Sequence, residues 1–348
     1  MLILCARYPK TQKPPSTPAK RRPVWVINDL LYDPLGCAIV RISDSYKENI
    51  ATLRQSDTVY LLDSSIYIFQ AWFGYPDNFH DAAGRPVNAV YGYLKTLLSQ
   101  LNTLQPRYLA AAFDESLFSG FRHELYPPYK ANRALPDEDL AHQLHLCRQL
   151  TECLGVQCLG DAVYEADDWL ALGAQTAAAA DLPKVIITRD KDLAQLVGPK
   201  DLWWDWSADL RRDQTALQDH WQVAPDRIPD LLALMGDSSD NIPGIAGIGA
   251  KTAKTLLQHF ASLESLYADL DAVAALPVRG AARWCRILQN TEEEAFLFRE
   301  LIRLHPPPHP LPLQALEFAP VPLAKLLEHL DTAGLGKAFR NLVTQFYA

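Results

Sequence analysis

Three short apolar runs in this chain each end in aspartate. Residues 58–62 run into Asp63, residues 108–113 into Asp114, and residues 185–188 into Asp190 and Asp192. Each run is too short for a helix and too apolar for a surface loop, so each reads as a buried strand. Helical patterns separate them. Asn88–Leu104 places Val90, Tyr91, Leu94, Leu97, Leu98 and Leu101 at helical spacing, residues 137–154 form the next helix, and another opens just after Glu165. Alternating strands and helices predict an α/β chain with a mostly parallel central sheet flanked by helices. Such sheets bind ligands beyond the carboxyl ends of their strands, so Asp63, Asp114, Asp190 and Asp192 are expected along one edge.

The stretch from Asp161 to Asp192 concentrates this pattern. Glu165, Asp167 and Asp168 open a helix, and Asp190 and Asp192 follow the next strand. Glu165 and Asp168, three apart, can share one side of the helix start, where the dipole favours anions. Further along, Asp237 and Asp240 bracket a Ser-Ser turn. Carboxylates brought together repel unless cations hold them. With no Cys or His among them, the acids suit Mg²⁺ or Mn²⁺ rather than structural zinc. Two such ions side by side would activate a water and stabilise both the entering and leaving oxygens of a phosphodiester.

A second element is Gly244-Ile245-Ala246-Gly247-Ile248-Gly249, which enters a helix at Ala250. Glycines expose bare N–H groups at a helix start, a fit for phosphate. It is not a Walker A loop, because Ala250 separates Gly249 from Lys251-Thr252 and a helix precedes it. A dinucleotide fingerprint fails because no first strand leads into it. A helix–loop–helix that grips a nucleic-acid backbone fits better, with Lys251, Thr252 and Lys254 at the helix start. A third element is the segment 115–136, polar and interrupted by prolines. It offers Arg122, Lys130 and Arg133 beside Tyr126 and Tyr129, cations and aromatics able to hold a phosphate and stack a base.

Composition narrows the rest. The formal net charge of −8 argues against a protein that coats nucleic acid non-specifically, although cations bound to an acid cluster would cancel part of it. No apolar run approaches the roughly 18 residues of a membrane span, and the N-terminus makes a poor signal peptide. Six cysteines without a CxxC pair read as reduced thiols in a cytoplasmic protein. Trp203, Trp204 and Trp206 read as packing, and His305 and His309 as surface histidines. Residues 1–22 read as a disordered basic tail. Residues 23–57 are an extension of unknown role, with a hairpin from VWVIN to CAIVRI and a short helix near residues 46–54. Residues 58–225 form an α/β catalytic domain and 226–348 a helical lobe, whose hairpin-like element covers 228–260.

The segments VYLLDSS, GRPVNAVYGYL, AAFD, FRHELYPPYKANR, YEADD, VIITRDKDLAQLV and LALMGDSSDNIPGIAGIGAKTAKTLL, in this order, resemble the 5′ nuclease (flap endonuclease-like) domain found at the N-terminus of bacterial DNA polymerase I. The resemblance implies a 5′→3′ exonuclease and 5′-flap endonuclease acting on flaps, nicks and primers. It implies a first metal at Asp63, Asp114, Glu165 and Asp167, with Asp168 close by. Asp190, Asp192 and Asp237 would hold a second, with Asp240 just outside. Lys130 would stand near the scissile phosphate beside Tyr129, and Arg122 and Arg133 would grip the displaced strand in an arch. Gly244, Gly247 and Gly249 would belong to a helix-hairpin-helix-like element on duplex DNA, in this family often with K⁺. The family usually has Gly where this chain has Arg189. Expected partners are DNA and a polymerase on a separate chain, with the nuclease a free-standing monomer. Two alternatives stand: a catalytically silent DNA-junction binding module, which should have lost some of these acids, and a PIN-like ribonuclease, which should lack both the glycine loop and the arch.

Overall fold

The computed structural model describes residues 57–116 and 120–348, together with the backbone of three short strands between residues 25 and 41. Residues 1–56 and 57–348 form two compact units. In the first, β1 (Trp25–Ile27), β2 (Leu30–Tyr32) and β3 (Ala38–Arg41) make an antiparallel sheet in that order. The expected hairpin thus has an extra strand: Leu30-Leu31-Tyr32, itself apolar, pairs on both sides. The expected tail at 1–22 and helix near 46–54 lie outside the described residues.

The second unit is built on β4 (Val59–Asp63), β5 (Tyr108–Ala112), β6 (Gln157–Leu159), β7 (Lys184–Ile187), β8 (Leu202–Asp205) and β9 (Leu210–Arg212). Their spatial order is β6-β5-β4-β7-β8-β9, and every pair is parallel except β8–β9. The residues of β4, β5 and β7 are buried throughout. This is why they read as unbroken apolar runs rather than as an alternating pattern. Helix Ala166–Ala179 lies against β4 and β5, while helix Asn88–Leu104 packs between Ser64–Gly74 and Glu138–Cys153. Leu61 and Ile186 have no solvent exposure, and cutting either to Ala would cost about 2–5 kcal/mol.

The strand ends carry the design. Asp63 is the last residue of β4 and the N-cap of helix Ser64–Gly74, its Oδ1 accepting from the Ile66 amide at 3.4 Å. One residue therefore ends a strand, starts a helix and points a carboxylate over the sheet edge. On β7 the register sets Ile187 beside Leu62, so Thr188 emerges next to Asp63 and its Oγ1 donates to Asp63 Oδ2 at 2.8 Å. On the other flank the Asp114 amide donates to Ser65 Oγ at 2.9 Å. The parallel register thus brings together residues far apart in the chain.

The helical part grows from the same core. Helix Ile228–Met235 buries Ile228, Leu231, Leu232 and Leu234 completely and packs against Ala250–His259 and Glu292–Ile302. One apolar cluster runs from Val59 and Ile186 through these helices to Leu316. Residues on both sides of the 225/226 division drawn from sequence therefore share one core. After Met235 the chain reverses through Gly236 (φ +86°) and Gly244 (φ +67°). A Cβ on Gly244 would stand 2.2 Å from the Gly236 amide nitrogen, so only glycine fits there.

Candidate active site

Nine carboxylates were expected at this site, and the structure divides them by what neutralises them. Asp63, Asp114, Asp167 and Asp190 have no Lys or Arg within ion-pair distance among the described residues. Glu165, Asp168, Asp237 and Asp240 are each held by a cation, and Asp192 has only Lys191, with Nζ 3.5 Å from its Oδ1.

The unpaired group sits together at the sheet edge. Burial pushes the Asp63 carboxyl up to about 7; its bonds from Thr188 and Ile66 pull the other way, and the charges of Asp190 and Asp114 add to the rise. Asp167 is raised well above the usual carboxylate range by burial, then by Asp190 and Asp63. Asp192 is raised by burial and by Asp190, with Lys191 opposing. These mutual effects mean that the acids feel one another across the site, which is the arrangement of carboxylates that share cations. Asp190 is pinned by its turn: its amide donates to Thr188 Oγ1, its Oδ1 accepts from the Asp192 amide, and its carbonyl accepts from Trp203 Nε1, each at 2.9 Å.

Asp192, Asp237 and Asp240 offer oxygens that all lie within 4.8 Å of one another. Asp192 Oδ1 is buried without a hydrogen-bond partner, a costly state for a charged oxygen and a natural place for a cation. Lys191 supplies a protein cation here, Nζ lying 2.6 Å from Asp237 Oδ2 and 3.1 Å from Ser239 Oγ. Burial works against that charge, but Asp192, Asp190 and Asp237 outweigh it and hold its pKa up. Hard oxygen donors, a buried carboxylate oxygen without a hydrogen bond and clustered like charges fit a divalent ion. Asp240 fits less well as a direct ligand, since Arg133 Nη2 occupies Oδ1 and the Tyr129 hydroxyl reaches Oδ2 at 3.1 Å.

The segment 115–136 differs from the expected polar arch. Among its described residues the one helix is Phe121–Leu125, and Arg122, Tyr129 and Lys130 are buried. Polar residues can sit there because each has a partner. Lys130 Nζ lies 2.8 Å from Glu165 Oε2, and the Tyr129 hydroxyl donates to the same oxygen at 3.1 Å. Burial opposes the Lys130 charge, yet Asp240 and Glu165 keep its pKa well up. Burial would likewise raise Glu165, but Lys130 and Arg122 bring it below the usual range. Lys130 adopts φ +52°, and its amide donates to the Asp240 carbonyl at 2.9 Å, which ties the segment to the 237–241 turn. Asn132 Nδ2 to the Ser238 carbonyl and Asn241 Nδ2 to the Pro128 carbonyl add to that tie.

Two expectations need correcting. Arg122 was expected to grip a displaced strand, and Asp168 to stand by a metal. Instead they form a bidentate pair with no surface to offer: Nη1 to Oδ2 at 2.7 Å and Nη2 to Oδ1 at 2.8 Å. Arg122 also donates to the carbonyls of Leu301 and Arg303. Asp168 accepts from the amides of Glu165 and His305 and is fully buried. With every lone pair direction in use, Asp168 is a structural acid. Arg133 remains half-exposed on Asp240.

The residues missed from sequence are Thr188, Ser65, Lys191, Ser239 and Asp205. Asp205 ends β8 as Asp63 ends β4, a signal hidden by the tryptophans around it. It accepts from the amides of Ser207 and Ala208, and Arg189 Nε reaches it at 3.1 Å. Arg189 is not among the residues with positive φ, so the arginine fits this turn without a left-handed backbone, and its guanidinium pairs with Asp205.

The glycine loop lies where the helix–loop–helix reading expects it. Gly249 caps Ala250–His259 with φ −87°, and a Cβ there would meet nothing within 4 Å. Lys251 is exposed and without an acidic partner among the described residues, Thr252 is half-buried, and Lys254 is half-buried and close enough to depress the His220 pKa, behind burial and Arg212.

Raised acids give a signed pH dependence. A carboxyl raised in the fold holds its proton more tightly there than in the unfolded chain. For Asp63 the metal-free protein therefore loses stability as pH climbs from 3.8 to about 7. Glu165 and Asp240, held low, are already ionised at pH 5.5, so between 5.5 and 8 the site acids that still titrate are the raised ones. Because a cation must displace these protons, the rise in Tm on adding Mg²⁺ should be clearly larger at pH 8 than at pH 5.5. Thermal denaturation with Mg²⁺ and with EDTA measures it, and an equal rise at both pH values would contradict the assignment.

Comparison with known proteins places this geometry. A family model described as the 5′-3′ exonuclease N-terminal resolvase-like domain matches residues 58–222, and one for the C-terminal SAM fold matches 223–322. DNA polymerase I of Rhizobium leguminosarum is 36% identical over 290 residues, 81% of this chain and 28% of that one. DNA polymerase I of Pseudomonas aeruginosa is 40% identical over 242 residues, covering 69% of this chain and 26% of its own. The chain thus spans roughly a quarter of these relatives. A 5′-3′ exonuclease of Buchnera aphidicola subsp. Schizaphis graminum is 31% identical over 247 residues, 71% of this chain and 85% of that one. In fold, the T5 5′-exonuclease with bound zinc aligns with a TM-score of 0.58 at 19% identity, covering 83% of this chain and 96% of that one. The catalytic core of Rad2 in complex with DNA aligns at 0.57 and 13% identity, over 88% and 99%. Two adjoining family models from residue 58 to 322, and a relative covered over most of its length, lead to one conclusion: this chain belongs to the 5′-3′ exonuclease family.

Proposed function

We propose that this protein is a divalent-metal-dependent 5′→3′ exonuclease and 5′-flap endonuclease that hydrolyses phosphodiester bonds at flaps, nicks and primer ends in DNA. The observation that carries this reading is the set of four carboxylates, Asp63, Asp114, Asp167 and Asp190, at the carboxyl edge of a parallel sheet, with no Lys or Arg counter-ion among the described residues. Asp63, Asp114, Glu165 and Asp167 would hold one cation, and Asp190, Asp192 and Asp237 the other. Bound there, two Mg²⁺ or Mn²⁺ ions supply water activation and neutralise charge that develops on the phosphodiester oxygens.

The protein's own residues do the positioning. Thr188 and the Ile66 amide fix the Asp63 carboxylate, and the turn bonds of Asp190 fix its own. Lys130, buried on Glu165, is the lysine that the family resemblance sets near the scissile phosphate. Replacing it with Ala is expected to lower turnover of a 5′-flap substrate by about 10²-fold or more while duplex affinity falls far less. Single-turnover kinetics beside anisotropy binding separates the two, and equal losses would move Lys130 out of the site.

Gly249 supports the duplex-binding reading of the loop. Nothing inside the protein requires glycine there, and Ser is a better helix N-cap, so the bare position suits close approach of a phosphate backbone. Gly249→Ser should leave Tm unchanged or higher while weakening duplex binding several-fold; a variant that binds as well as the parent refutes this use of the loop. A K⁺ ion at the loop completes the reading.

The deciding assay is incubation with end-labelled 5′-flap, nicked and blunt duplexes, with Mg²⁺ and with EDTA. Short products from the 5′ side of flap and nick, dependent on Mg²⁺, are expected. Binding without cleavage would leave a junction-binding module instead.

A further inference from the structure

Many of the arginines among the described residues are already paired. Arg85, Arg107, Arg122, Arg133, Arg148, Arg189, Arg211, Arg299 and Arg340 each pair with a carboxylate. Such pairing is what a chain with 41 acidic and 33 basic residues should do. Of the arginines without an ion pair among the described residues, Arg212, Arg227 and Arg303 lie apart, whereas Arg279, Arg283 and Arg286 lie together in one short stretch. All three are exposed and none has an ion pair among the described residues. The one side-chain hydrogen bond on them runs from Arg286 Nε to the Ala282 carbonyl, 3.3 Å, within their own helix.

Their setting is rigid. Gly280, at φ +101°, turns the chain into helix Ala281–Leu288, and the Trp284 ring lies over it, 3.3 Å from where a Cβ would stand. Ala281, Cys285 and Leu288 are buried, so the helix is anchored on one side and turns Arg283 and Arg286, three residues apart, to the other. This helix is also packed beneath the glycine loop. A Cβ on Gly247 would come within 3.0 Å of Ile287 Cδ1 and 3.6 Å of Arg283 Nη2. One of the three guanidinium groups therefore stands directly beside the loop's bare backbone.

We propose that the phosphate backbone of duplex DNA continues from the glycine loop across helix Ala281–Leu288, where Arg279, Arg283 and Arg286 contact successive phosphates. Guanidinium groups bind phosphate bidentately and are weakly hydrated, so they suit this use better than lysine. Leaving three of them together unneutralised, in a chain with excess acid, favours an outside polyanion. Each phosphate they neutralise releases condensed counterions, and that release drives binding. The inference rests on the glycine loop being a duplex-binding element.

The test uses the full chain in EDTA, with fluorescence anisotropy of a labelled nicked duplex over a range of KCl. Arg283→Gln with Arg286→Gln should weaken binding about tenfold or more near 0.1 M salt. The slope of log Kd against log salt should fall by about 2, at roughly 0.9 per lost phosphate contact. Lys251→Ala is run beside it. Unchanged affinity and slope in the arginine variant, with binding lost in Lys251→Ala, would overturn the helix contact and leave the loop's role standing. No loss in either variant would overturn both. An equal loss on a single-stranded oligonucleotide would also overturn it, since that is general attraction and not a duplex path.

Discussion

Asp190→Asn should abolish cleavage, by about 10³-fold or more, while raising the stability of the metal-free protein. The two effects share one cause. The charge of Asp190 helps raise the carboxyls of Asp63, Asp167 and Asp192, so removing it relieves repulsion that Lys191 and Lys130 oppose but do not cancel. The same charge is what would attract a cation, and losing a cation that stabilises developing charge costs several kcal/mol of barrier, at about 1.4 kcal/mol per tenfold in rate. Asn retains an oxygen for the Asp192 amide, so the turn survives; Asp190→Ala should be equally inactive. Single-turnover cleavage and Tm in EDTA are the readouts. Lost activity with a lower Tm would make Asp190 a structural acid, and retained activity would remove it from the metal site.

Arg122→Ala should cost about 3–5 kcal/mol of stability, the range for breaking one side of a buried ion pair. It would leave Asp168 charged at zero exposure, and it would also strip donors from the Leu301 and Arg303 carbonyls, which join this segment to the helical part. Arg122→Lys should recover only part of the loss, because an ammonium cannot reproduce the two parallel bonds to Asp168 or reach both carbonyls. Urea denaturation measures this. A variant as stable as the parent but weak on flap DNA would restore the strand-gripping role that the geometry denies.

That pair marks where sequence stops being legible. The strand ends were readable because a buried parallel strand is apolar along its whole length and the acid beyond it stands out, as at Asp63 and Asp114. Helix Asn88–Leu104 was readable to the residue, because its apolar spacing is regular and Pro106 follows two residues after it. Arg122 and Asp168 are 46 residues apart, and no local pattern says which acid a buried arginine will choose. The segment 115–136 was misjudged for the same reason. Polar residues next to prolines look solvated until Glu165, Asp168 and Asp240 are brought beside them by other elements. Lys191 and Ser239 follow the same rule, since their place on Asp237 depends on how the 237–241 turn docks against the end of β7.

The most direct measurement is anomalous scattering from crystals grown with Mn²⁺. Two peaks are expected, one among Asp63, Asp114, Glu165 and Asp167 and one among Asp190, Asp192 and Asp237, with Lys191 displaced from Asp237. Crystals with no manganese at the sheet edge, and with Lys191 still on Asp237, would contradict the claim that these acids assemble to hold cations.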